Sequence, residues 1–386
     1  MLDHNFRRYT EINMMLTFAL FLISPILGPY IKSMGYTNTQ VSWVFAILPF
    51  SIIIFVPIIG NLSDKIGRKS IICMAIFAEI VAYSLYMYDQ FLVCIIIARF
   101  LDAIAASILS LIVLAKVEDG IKKDRGYLGG LFLSMGYLGK LASPLIGGLL
   151  ADYFFIQFPF IVSIVIMTVL LLGLLKGTHL NNHKIKKNDF NLFADIKTFL
   201  SFKDLRVMGL LGICAHAMLP ATALFLPIFI LENLSLSNTH VGIALSVLGI
   251  THLLQGQFGR IGDRIGNAKA VVIGLLITGV TFCLIFLINS YIPLLILLFA
   301  QGIGRSMWNV SAWTLMSDIG EKVHKEGLVV TSYLSIAKIG ALFSFLISGM
   351  IVDAYSFQHL VLLNGFVIIA VSLGSLLMFS KKYLTG

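Results

Sequence analysis

The sequence predicts an all-α integral membrane protein, with twelve transmembrane helices in two pseudo-symmetric six-helix bundles. Three observations carry that prediction. First, 58% of the 386 residues are hydrophobic and only 12% are charged, about half the roughly 25% charged residues of a soluble domain. A water-soluble globule of this length could not cover its surface with so few charges. The same shortage excludes intrinsic disorder and nucleic-acid binding as main themes. Second, the apolar residues come in continuous runs rather than in the alternation of a barrel strand. Third, the runs fall into two sets of six around a polar centre.

A hydrocarbon core about 30 Å thick needs roughly 20 apolar residues per helix. Runs of that kind lie near residues 12–32, 40–59, 71–88, 91–115, 127–150 and 158–176, then near 207–231, 239–258, 270–289, 292–316, 327–352 and 359–380. The start, Met1 to Glu11, is polar, and the run behind it lacks a clean cleavage site, so it reads as a first span rather than a leader. Pro25 and Pro29 in span one and Pro220 and Pro227 in span seven predict bends, either fixed kinks or hinges. The longest polar stretch, 177–205, contains His183-Lys184-Ile185-Lys186-Lys187-Asn188-Asp189 and reads as a linker between domains 1–176 and 206–386. Within it, Phe190, Leu192, Phe193, Ile196, Phe199 and Leu200 have the spacing of an amphipathic helix on the membrane surface, with a loop as the alternative. Cys73, Cys94, Cys214 and Cys283 each sit inside an apolar run, and no pair has metal-ligand spacing. They read as packing residues, and no metal site is expected.

The basic residues fix an orientation. All but five of the 28 Lys and Arg lie at the termini, in the linker region, or in the connections after spans two, four, eight and ten. These positions share one face of a twelve-span layout, and the opposite face holds only Lys32. The positive-inside rule therefore places both termini and the linker in the cytoplasm, with the chain in the plasma (inner) membrane. The formal charge of +9 is thus mostly topology, not a nucleic-acid footprint. The remaining four cations, Arg99, Lys140, Arg305 and Lys338, lie inside spans.

Two connections repeat. Gly60-Asn61-Leu62-Ser63-Asp64-Lys65-Ile66-Gly67-Arg68-Lys69 follows span two, and Gly259-Arg260-Ile261-Gly262-Asp263-Arg264-Ile265-Gly266 follows span eight, 199 residues later. Each has Gly, an Asp four residues on, and a Gly three further. Glycine permits a tight turn, and Asp can cap the next helix or meet a helix dipole. In span five, Gly136-Tyr137-Leu138-Gly139 precedes Ser143-Pro144-Leu145-Ile146-Gly147-Gly148.

The paired turns resemble the loop signature of the major facilitator superfamily, and the resemblance covers the whole chain. It implies two bundles around a central cavity that rock to give alternating access. It also implies a gating role for Gly60, Asp64, Gly67 and Arg68, and for Asp263 and Gly266. The span-five segment resembles the Gly-Pro-x-x-Gly-Gly signature of drug/proton antiporters, with Ser143 in place of the first Gly. That assigns Pro144, Gly147 and Gly148 either to gating or to close helix packing. Arg99 matches the position of a family arginine linked to proton coupling, with Ala103 where the family pattern has Gly.

Charges inside spans carry the functional reading, because each costs at least about 2.5–3.5 kcal/mol near the bilayer centre. Arg99 and Asp102 are three apart on one helix and can pair, either as a self-neutralised couple or as a titrating acid beside a fixed cation. Glu79 in span three is a further proton-coupling candidate, or a structural acid kept neutral or paired. Lys140 in span five and Lys338 in span eleven lie one helical turn apart in the register of the repeat, and neither has an acidic neighbour on its own helix. With Arg305 in span ten they predict a cationic substrate site, to which Tyr137 and Asn309 could contribute contacts. The alternative is that acids across the cavity pair with them. His216 and His252 read as titratable or as packing residues.

The expected function is a proton-coupled secondary transporter, exporting a small organic molecule by drug/proton antiport. The alternatives are a carrier of organic anions or carboxylate siderophores, and a non-transporting receptor or scaffold. An enzyme is disfavoured because no nucleophile–base set, metal spacing or phosphate loop is present. No cofactor is expected beyond a proton gradient. The expected partners are the small-molecule substrate and the bilayer, with the protein as a monomer.

Overall fold

In a computed structural model, the described residues are 4–88, 91–120, 125–176, 192–322 and 326–379. Among them there is no strand. The order is α1 (His4–Leu22), α2 (Leu27–Ser33), α3 (Asn38–Ile66), α4 (Arg68–Tyr88), α5 (Leu92–Gly120), α6 (Arg125–Tyr153) and α7 (Phe158–Lys176). There follow α8 (Leu192–Ser201), α9 (Lys203–Ala217), α10 (Leu226–Glu232), α11 (Asn238–Ile250), α12 (Gln255–Ile265), α13 (Asn267–Ile285), α14 (Tyr291–Lys322), α15 (Glu326–Ala354) and α16 (Phe357–Met378). Eleven helical segments among the described residues are long and apolar enough to cross a membrane. The 29-residue α6 occupies the fifth predicted span. Large apolar side chains such as Met74, Phe77, Val169, Ile292 and Phe366 are exposed, as a bilayer solvent requires.

The prolines act where the sequence places them. The first span breaks around Pro25 into α1 and α2. In the seventh, a π-helical turn, Ala221–Phe225, lies between Pro220 and Pro227. A proline cannot donate to the helix ladder and crowds the carbonyl four residues back, so the wider turn accommodates it. The eighth span also departs from α geometry, through a 3₁₀ segment, Thr251–Leu254. Of the linker, residues 177–191 lie outside the described residues. Its remaining part holds helix α8, so the helical alternative applies there. Phe199 is buried against the bare backbone of Gly209, which docks α8 on α9.

The chain forms two compact units. The first falls within Met1–Gly35, Ile47–Asp189 and Ser237–Ile243, and the second within Tyr36–Ala46, Phe190–Leu236 and Ala244–Gly386. Glycine governs helix approach in both. In the first unit, a Cβ on Gly147 would lie 1.9 Å from the Leu22 carbonyl oxygen, and one on Gly148 would lie 2.3 Å from that of Asn238. A Cβ on Gly139 would meet the Met14 carbonyl, and one on Gly242 that of Pro144. In the second unit, Gly349 stands where a Cβ would meet Thr39 Cα at 2.5 Å, and Gly340 where one would meet the Ile213 carbonyl. Backbones this close leave no room for a side chain, which gives the span-five glycines a packing reason.

Beside these contacts, each unit seats a carboxylate on a helix N-terminus. Asp152 accepts from the backbone N–H of Asn238 (3.0 Å) and Thr239 (2.7 Å) and from the Thr239 hydroxyl (2.6 Å). Asp353 does the same for Asn38 (3.1 Å), Thr39 (2.8 Å) and the Thr39 hydroxyl (2.6 Å). The free N–H groups of a first helical turn are thereby satisfied, and the negative charge meets the positive end of the helix dipole.

Two predictions follow from these contacts. Replacing Gly349 by Val should destabilise the protein by about 1–3 kcal/mol through overpacking, seen as a lowered melting temperature in detergent. Gly374→Ala, where a Cβ would meet nothing within 4 Å, should not. Equal melting of Gly349→Val and wild type would refute the packing role. Likewise Asp152→Ala and Asp353→Ala should each cost about 0.5–2 kcal/mol, as loss of a helix cap does. Unchanged thermal stability in both variants would show that the caps contribute nothing.

Candidate functional site

Apart from Lys140, the described charges inside the spans form two different groups, one in each unit. In the first, α4 and α5 pack together and enclose Glu79, Arg99 and Asp102, which are 0%, 6% and 6% exposed. Arg99 Nη1 lies 2.5 Å from Asp102 Oδ2, an i,i+3 ion pair on α5. The Tyr86 hydroxyl donates to the same oxygen at 3.3 Å. Tyr86 in turn holds the ring of Phe160 at 5.9 Å, and its backbone carbonyl accepts from the Tyr30 hydroxyl. The Glu79 carboxyl is fully buried beside Asp102, Arg99 and the Tyr83 hydroxyl, all of which act on it. One guanidinium therefore faces two carboxyls. With both ionised the group carries one net negative charge, and with one protonated it is neutral. Sequence reading selected the three charged residues but not Tyr83 and Tyr86. The signal was present, since these lie four and seven positions after Glu79 and so share its helix face.

Lys140 stands apart from that group. It is exposed on α6, with its ammonium 4.5 Å from the centroid of the Phe21 ring. Such a cation–π contact follows from the close α1–α6 approach, where Asn13 Nδ2 donates to the Phe132 carbonyl and the Thr17 hydroxyl to that of Gly136. Tyr137, one turn earlier on α6, is half-buried.

The second group lies on α9, α14, α15 and the π turn of the second unit. Bare backbone at Gly212 admits the ring of Tyr333, and Gly340 admits Ile213, which holds α9 against α15. Gly274 and Gly304 let α13 and α14 approach in the same way. Within this packing His216 meets Trp308 edge-to-face at 5.8 Å between ring centroids. The charges of Lys338 and Arg305 both act on the His216 ring. Arg305 Nη1 donates to the Thr222 hydroxyl at 3.3 Å, and Thr222 belongs to the π turn. Arg305, Lys338 and Asn309 are half-buried. Thr222 was missed from sequence, because only the irregular turn brings its hydroxyl to Arg305. His252 bonds Ser306, which bonds Thr251.

The repeated turns share one backbone feature. Gly67 and Gly266 have φ of 96° and 95°, a region that favours glycine. Gly266 separates α12 from α13 as Gly67 separates α3 from α4. Gly60 lies within α3, and Asp263 is exposed on α12. The side chains of Asp64 and Arg68 lie outside the described part of the structure, so their gating contacts stay an expectation.

Comparison with known proteins bears on the architecture. The family model described as Major Facilitator Superfamily matches residues 12–220 and 208–383. An uncharacterized MFS-type transporter of Methanocaldococcus jannaschii is 24% identical, over 86% of each chain. The multi-drug resistance efflux pump PmrA homolog of Lactococcus lactis is 25% identical, over 78% of this chain and 76% of its own. The class H tetracycline resistance protein of Pasteurella multocida is also 25% identical, over 74% of each. Among solved structures, the nucleoside transporter NupG superposes with a TM-score of 0.83, covering 97% of this chain and 99% of its own at 14% identity. That likeness concerns the fold alone. A match running from residue 12 to residue 383 leaves little of the chain outside it, and this protein belongs to the Major Facilitator Superfamily: it is a multi-pass membrane transporter and not an enzyme.

Proposed function

We propose that the chain is a proton-coupled exporter of the drug/proton antiporter type, moving a small organic molecule by alternating access between its two six-helix halves. The observation that carries this reading is the buried group of Glu79, Arg99 and Asp102, in which two carboxyls share one guanidinium. Such a group is neutral only with one proton bound, and neutrality is what a low-dielectric interior favours. In this reading Asp102 and Glu79 are the proton-coupling acids and Arg99 the cation that they share. The names of relatives support the direction of transport, since two of them are described as a multi-drug efflux pump homolog and a tetracycline resistance protein. The charge distribution supports cytoplasmic termini and linker. The positive-φ glycines support gating at the two turns, with Asp64 and Arg68 at one and Asp263 at the other.

Purified protein in liposomes tests the coupling. With a pH gradient imposed, at least one member of a panel of lipophilic cationic dyes, tetracycline and organic carboxylates should accumulate against its own gradient, and collapse of the pH gradient should stop accumulation. Asp102→Asn should lower gradient-driven accumulation to that of empty vesicles while leaving exchange of labelled for unlabelled substrate intact. Accumulation that ignores the pH gradient, or an Asp102→Asn protein that still accumulates substrate at the wild-type rate, would overturn the proposal.

A further inference from the structure

The second unit differs from the first in a way the antiport reading does not use. Its positive groups within the spans have no acid to answer them. Asp318 is thirteen residues from Arg305 on α14, and Asp204 is twelve from His216 on α9. Glu326 and Asp353 are twelve and fifteen residues from Lys338 on α15. At 1.5 Å per residue these separations are about 18 Å or more along the helix. The other acids of the unit, Glu232, Asp263 and Glu321, also sit near helix ends, Asp195 belongs to the short α8 outside the spans, and α13 and α16 contain none. Arg305 and Lys338 make no ion pair among the described residues. The two acids within the spans of the first unit are already enclosed in its buried group.

Hydrogen-bond donors are in surplus at the same place. Arg305 has five N–H groups, and its hydrogen bond among the described residues goes to Thr222. The indole Nε1 of Trp308 and the hydroxyl of Tyr333 are buried without a partner among the described residues. Trp308 touches the His216 ring, and Tyr333 packs on Gly212, whose carbonyl accepts from His216 Nδ1 at 3.1 Å. Unmet buried donors cost about 1–3 kcal/mol each, and unpaired cations in a bilayer cost more. A ligand that supplies acceptors and negative charge would relieve both. The indole and imidazole rings beside the cations suit a flat apolar body next to that charge.

We propose that the second unit holds a binding site for an organic anion, a carboxylate on an aromatic or apolar body, with Arg305 and Lys338 taking the charge and Trp308 and His216 taking the ring. This rests on the transporter reading, as the substrate class of that transporter, but not on its direction or its coupling ion.

Equilibrium binding to the full chain in lipid nanodiscs tests it without any gradient. The probes share one ring system and differ in charge: naphthoate, naphthamide and naphthylmethylammonium. Naphthoate should bind and raise the melting temperature, with the other two at least about tenfold weaker, the equivalent of one charge-assisted hydrogen bond. Lys338→Gln and Arg305→Gln should weaken naphthoate binding by about tenfold, and Lys338→Arg should restore it. Loss in either variant, if folded by melting and gel filtration, supports the site. If neither variant folds, the wild-type preference decides. No naphthoate binding, naphthylmethylammonium binding as tight as naphthoate, or full affinity in both folded variants would overturn the proposal. Anion binding by a protein that shows no proton-driven accumulation would sink the antiport reading alone. Proton-driven dye export without anion binding would sink this inference alone.

Discussion

Hydrocarbon cannot solvate charge, and an ionised side chain there must be matched by a partner, by protonation or by a ligand. That constraint sorts the charged residues of this chain. Arg99 and Asp102 match each other at 2.5 Å, with Tyr86 completing the shell, and Glu79 adds a second acid to the one guanidinium. In the proposed reading, protein groups and one proton balance the charge of the first unit. Arg305 and Lys338 in the second unit have no acid within their own helices' membrane portions. The two halves share a pattern of turns and packing glycines, yet they place charge differently. We read that difference as a division of labour, with proton handling in the first unit and substrate charge in the second.

Glycine and proline supply the geometry in which those charges can act. Close backbone approach at Gly212 and Gly340 sets α9 against α15, and this brings His216 into the field of Lys338. The π turn between Pro220 and Pro227 offers Thr222 to Arg305. In a membrane the helices gain little from apolar burial against one another, so contact depends on such shape complementarity. The carboxylate caps of Asp152 and Asp353 add directional bonds at helix ends, where backbone N–H groups would otherwise lack partners.

Much of this was legible in the sequence. Long apolar runs specify spans because a bilayer demands a fixed length, and the repeated Gly-x-x-x-Asp-x-x-Gly turns specify the family. Both turn glycines have the positive φ that their position required. Isolated charges in apolar runs drew attention to Glu79, Arg99, Asp102, Arg305 and Lys338. Partners were less legible. Arg99 and Asp102 are close in sequence, so their pairing could be read from helix periodicity. Arg305 and Thr222 are 83 residues apart and meet through a non-α turn, which no periodic template anticipates. The caps show the same limit. Nothing local indicated that Asp152 and Asp353 would each seat on a helix N-terminus from a distant part of the chain. Lys140, grouped with Lys338 by register alone, lies over the ring of Phe21.

The central claim is that the buried acids of the first unit hold one proton between them. Infrared difference spectroscopy on the purified protein in lipid observes this directly, through the stretching band of a protonated carboxyl group. The account predicts such a band at neutral pH, insensitive to hydrogen–deuterium exchange at the surface acids and removed in Glu79→Gln or Asp102→Asn. A spectrum without a protonated carboxyl, or a band that survives in both variants, would contradict it.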